Sequence, residues 1–139
     1  MAKLKILDIG LEGMGFVNFK KLIDVIMPPK ERRQSTIIIM YIRVFAHLNN
    51  ALNLLDRETC KRAVEHIGIT KNILDLASFN EEKPYVLRIR KIISTILRNE
   101  KEIVRRIEKE PSSDPFHVKT SILLAQNVCI LRILKINKY

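Results

Sequence analysis

Residues 36–55, TIIIMYIRVFAHLNNALNLL, decide how the rest of the chain is read. The stretch is apolar on nearly every side, so other elements must enclose it. The β-branched run Thr36–Ile39 would suit a strand, since short apolar runs fit strand and helix alike. The whole stretch is far longer than an ordinary strand, and its length predicts the central, most buried helix of an all-α fold. That helix starts either at Pro29, in a first helical turn, or later with Ser35 as N-cap. Arg32-Arg33-Gln34-Ser35 also matches the bare pattern that basophilic kinases accept, but such short matches are common by chance and the capping role of Ser35 is preferred.

Working outward, the chain is divided by Pro28-Pro29, Gly68, Asn80–Pro84 and Pro111–Pro115, none long enough to be an interdomain linker. One domain over residues 1–139 is expected, a compact bundle of about five to six helices around the buried helix at 36–55. Residues 1–15 read as irregular or as a short strand. Phe16, Phe19, Leu22, Ile23, Ile26 and Met27 then recur at three- and four-residue spacing, as in an amphipathic helix. Gly10, Gly13 and Gly15 run G-x-x-G-x-G, which is not the dinucleotide-binding order.

Beyond the central helix, Asp56 is a candidate N-cap for a short helix ending at Ile67, with Gly68 left-handed after it and Thr70 capping a second helix over 71–79. Residues 61–79 thus have the rough layout of a helix-turn-helix, in which Thr70, Lys71, Asn72 and Asp75 would face a major groove. Asp75 would oppose phosphates there and the stretch carries little net charge, so a plain pair of helices is preferred. A long helix is expected to open at Asn80 or Glu81 and to continue to about Lys109. A last one begins at Asp114-Pro115 and runs to about Lys135.

The chain has 139 residues, 47% hydrophobic and 29% charged, a balance typical of a folded globular protein. Its 25 Lys and Arg against 15 Asp and Glu leave a net charge of +10. Such a basic balance favours a polyanionic partner. Asp8 and Glu12 interrupt the place of a signal peptide's apolar core, and Arg43, His47 and three asparagines make residues 37–55 a poor membrane span. A soluble intracellular protein is expected, in the cytoplasm by default or in the nucleus. Cys60 and Cys129 are too few for a disulfide scaffold, and neither they nor His47, His66 and His117 show metal-site spacing. No catalytic motif appears, so a non-enzyme without cofactor or metal is expected.

The charge is uneven: residues 84–110 carry +4 and residues 111–139 carry +3. At 100° per residue, Val86, Ile89, Ile92, Ile93, Ile96, Leu97, Ile103, Val104 and Ile107 form one face of the long helix. Arg88, Lys91, Arg98, Lys101, Arg105, Arg106 and Lys109 form the other. This basic ridge suits the phosphates of RNA or of duplex of any sequence. Arg32, Arg33, Lys61, Arg62, Lys135 and Lys138 would extend it. The plainer alternative is a solvated face, with Arg98 paired to Glu102 and Lys101 to Glu100 or Glu108. Tyr85 and Tyr139 are the aromatics best placed to stack bases, although recognition through phosphates fits the scarcity of aromatics better. The rival function is a helical interaction or assembly subunit that self-associates or binds an acidic protein, because ILLAQNVCILRILKI in the last helix is apolar well around its circumference. Dimerisation is expected under either reading, as a homodimer or in assembly with other proteins.

Overall fold

A computed structural model describes residues 29–137. The expectations for residues 1–28, the glycine-rich start and the helix at 16–27, lie outside the described residues, as do Lys138 and Tyr139. Among the described residues there are five α-helices and no strand: α1 Pro29–Asn53, α2 Cys60–Asp75, α3 Lys83–Arg98, α4 Glu100–Lys109 and α5 Val118–Asn137. One-turn 3-10 helices at Asn80–Glu82 and Pro115–His117 lead into α3 and α5.

The all-α expectation holds, and α1 is the central helix, packed mainly between α2 and α5. Residues 35–42 are buried without exception, and a segment enclosed on all sides must satisfy its backbone polar groups internally, which a helix does. That requirement overrides the strand preference of the isoleucine run. Ile37, Met40, Tyr41, Val44, Leu48 and Ala51 carry the shared core along α1 at three- and four-residue spacing, with Leu55 just beyond its end, while Asn49, Asn50 and Asn53 face solvent. The helix begins earlier than 36 and ends at Asn53. Ser35 is accordingly no N-cap: it is buried within α1 and out of a kinase's reach.

The two short helices expected around Gly68 are one. α2 runs unbroken from Cys60 to Asp75 with Cys60, Ala63, Ile67, Thr70 and Leu74 on its buried face. A glycine inside a helix costs about 1 kcal/mol relative to alanine, and the side chains buried on both sides of Gly68 outweigh that. Thr70 caps nothing: its hydroxyl donates to the Ile67 carbonyl at 2.6 Å inside the core. Asp56 organises the preceding turn, its carboxylate accepting from the Glu58 and Thr59 N–H groups at 3.0 Å each, before α2 starts at Cys60.

The long helix to Lys109 is two. The Asn99 side-chain amide donates to the Thr95 carbonyl at 2.9 Å, and the Asn99 N–H bonds instead to Ile96 O at 3.0 Å. The side chain has taken the place of the helical i−4 bond, which ends α3. α3 packs on α2 and α5, whereas α4 packs on α2 and the turn at 115–117. In that turn Phe116 and His117 have φ of 57° and 53°, a left-handed conformation that side chains adopt at a cost. The Asp114 carboxylate spans it and caps α5 by accepting from the Lys119 N–H at 3.0 Å.

Candidate nucleic-acid interface

α3 and α4 bury isoleucine and turn out cations. Val86, Ile89, Ile93 and Ile96 of α3 and Ile103 and Ile107 of α4 are buried, with Ile92, Leu97 and Val104 half-buried beside them. Arg88, Lys91, Arg98, Lys101, Arg105, Arg106 and Lys109 are all exposed. At 1.5 Å per residue, the 16 residues of α3 and the 10 of α4 span about 24 and 15 Å. The cations therefore lie on two helices joined at Asn99 rather than along one rod.

Their partners divide them. Glu102 accepts from Arg105 Nε at 3.0 Å and Nη2 at 2.5 Å and from Arg106 Nε at 2.9 Å, and hydrogen bonds from Arg105 first and then Arg106 hold its carboxyl at about 2, well below the usual range. Arg98 leans on the Thr95 hydroxyl at 3.4 Å rather than pairing with Glu102. Among the described residues, Arg88, Lys91, Lys101 and Lys109 have no carboxylate within ion-pair distance, so the pairing suggested for Lys101 does not form.

The extensions separate in the same way. Lys61 of α2 lines an open groove with Lys101 and Arg105 of α4, over a floor of Val64 and Val104, which joins it to the ridge. Glu65, Glu100 and Glu108 line that groove too. Arg62 is exposed on α2. Arg33 is spent elsewhere: its Nε and Nη2 donate to the two Glu81 carboxylate oxygens at 2.9 Å each and its guanidinium lies 5.3 Å from the Phe79 ring centre. Arg32 is half-buried on α1, and Lys135 is exposed near the end of α5.

Two features escaped the sequence. Phe116 is 44% exposed with the Arg106 guanidinium 5.2 Å from its ring centre, which sets an aromatic face at the end of the ridge. Nothing in the sequence around Pro115 announces this, because it arises from the left-handed turn. Tyr85 is half-buried and already covered by Arg132, 4.4 Å from its ring centre. Arg132 in turn forms a two-pronged pair with Glu82 at 2.6 Å, and Glu82, 1% exposed, also accepts from the Tyr41 hydroxyl at 2.9 Å. Here a signal was present: a lone arginine in an otherwise apolar run needs a partner.

The helix-turn-helix layout is overturned by the continuity of α2, and three of its four proposed readers are occupied. Thr70 is buried, while Asp75 pairs with Lys71 at 3.1 Å and Arg90 at 2.8 Å. His47 and His66 face each other, Nδ1 to Nδ1, at 3.0 Å. One proton between two ring nitrogens makes that contact, and burial, with His66 and Arg43 nearby, lowers the His47 pKa. Burial pushes the Cys60 thiol up and the Cys129 thiol to about 12, so both behave as core residues. Among the described residues no three His, Cys, Asp or Glu side chains gather as metal ligands, and no helix is long and apolar enough to cross a membrane. No protein-family model, curated protein or solved structure matches the chain.

Proposed function

We propose that this protein binds nucleic acid without turnover, contacting the phosphates of RNA or of duplex of any sequence through the cations of α3 and α4. One observation carries the reading: seven exposed cations share the face opposite the isoleucine core, and five of them, Arg88, Lys91, Arg98, Lys101 and Lys109, have no carboxylate partner among the described residues. Unpaired ammonium and guanidinium groups release counterions from phosphates without first breaking a protein ion pair. Lys61 adds a further cation across the groove. The open groove and the exposed Arg106–Phe116 pair leave room for a strand beside the ridge.

The test is fluorescence anisotropy with labelled single-stranded RNA and duplex DNA across a salt series. Binding should weaken steeply with salt. Replacing Arg88, Lys101 and Lys109 by glutamine should weaken it uniformly across sequences and flatten the log-log salt slope by about one unit for each phosphate no longer neutralised. Absence of binding to either probe at low salt would overturn the reading.

A further inference from the structure

Five of the nine exposed large apolar side chains among the described residues lie on α5, away from its buried face. Leu123, Leu124, Ile130, Leu131 and Leu134 are between 39% and 68% exposed, and Asn127 is exposed among them. Counting 100° per residue from Asn127, these six fall within an arc of about 120°. The opposite face, including Val118, Ile122, Ala125 and Cys129, is buried in the core. The five apolar side chains present roughly 500 Å² to solvent, a large share of the ~800 Å² that each partner contributes to a standard interface.

We infer that this stripe is where a second copy of the chain docks, across a two-fold axis at Asn127 with the two α5 helices antiparallel. Three properties of the stripe select a copy of itself over another partner. A two-fold interface must be self-complementary, and the stripe is: antiparallel pairing sets Leu123 against the partner's Ile130 and Leu124 against the partner's Leu131. The polar group at its centre is an amide, which both donates and accepts and so can pair with its own copy. No charged residue lies within the stripe, so two chains of net charge +10 meet there without opposing ammonium groups. Leu134, seven residues beyond the axis, then lies at the level of the partner's Thr120, at the edge of the contact. The antiparallel arrangement also sets the two Lys135 side chains at opposite ends of the contact, and a single buried amide is a familiar way of fixing register.

This proposal stands apart from the nucleic-acid reading. Salt weakens phosphate binding, but it leaves an apolar dimer unchanged or strengthens it by screening the net charge. Light scattering on the full chain at up to ~200 µM should give twice the chain mass. Leu124→Lys with Leu131→Lys should raise the dissociation constant about a hundredfold or more, with an unchanged helical circular dichroism spectrum. Should that variant fail to fold, crosslinking decides. Asn127→Cys should give a covalent dimer under mild oxidation. Lys135→Cys should not, its two copies lying about 24 Å apart along the helices, and the buried Cys60 and Cys129 give no background. A monomeric wild type, whether the stripe is covered by residues 1–28 or reserved for an acidic protein, overturns the proposal. So does a dimer that Asn127→Cys fails to trap.

Discussion

Two carboxylates in this molecule do the same chemistry in different surroundings. Glu82 holds Arg132 by two hydrogen bonds and takes a third from Tyr41. Glu102 binds Arg105 and Arg106. Glu82 is almost wholly out of solvent, while the side chain of Glu102 keeps 35% exposure and its two arginines 50% or more. In the interior, each member of the cluster is obliged to be there, because a lone charge or hydroxyl left behind has no water to turn to. Glu82 ties the 3-10 turn before α3 to both α1 and α5, so the cluster fixes how three elements meet. At the surface, water and salt compete for every donor, and the same geometry contributes little to stability. On the proposed nucleic-acid reading, what Glu102 would control is availability, since it ties up Arg105 and Arg106.

The contrast can be broken from its strong end first. Glu82→Gln removes the charge that compensates Arg132 and should destabilise the fold by about 3–5 kcal/mol in urea unfolding. A cost near zero would mean that the interior cluster is as solvated as the outer one. Tyr41→Phe removes one hydrogen bond to a charged acceptor without emptying the core, and about 1.5–3 kcal/mol is expected by the same measurement. At the weak end, Glu102→Gln should leave the urea midpoint unresolved from wild type. Its effect should appear in nucleic-acid binding, which tightens at low salt and gains about one unit of log-log slope for each freed guanidinium that meets a phosphate. An E102Q protein with altered stability and unchanged binding would reverse the roles assigned to the two carboxylates.

The sequence made much of this legible because periodicity survives folding. Isoleucines at 89, 93, 96, 103 and 107 recur at helical spacing, and all are buried. The ridge cations fall on the other side, while Arg90, between Ile89 and Ile93, stays half-buried against Asp75. The enclosure of the first half of α1 was equally plain from the unbroken apolar run at 37–42. Punctuation was less reliable. Gly68 reads as a stop, yet a helix anchored by Ala63 and Ile67 before it and Leu74 after it absorbs the cost of one glycine. Asn99 reads as an ordinary polar position, yet its side chain captures the Thr95 carbonyl and ends α3.

By itself, the sequence determined the helical class, the buried central helix and the sidedness of α3 and α4, since each follows from the spacing of apolar residues along one short stretch of chain. Only the tertiary structure decided which charges are free. Arg33 meets Glu81, Arg132 meets Glu82 and Asp75 meets Arg90 across 48, 50 and 15 positions of chain, and no local pattern encodes such encounters. The same folding placed Phe116 beside Arg106 and chose which side of α5 the core covers. An ion pair costs or stabilises according to how much water both partners lose, and that loss is set when the helices pack.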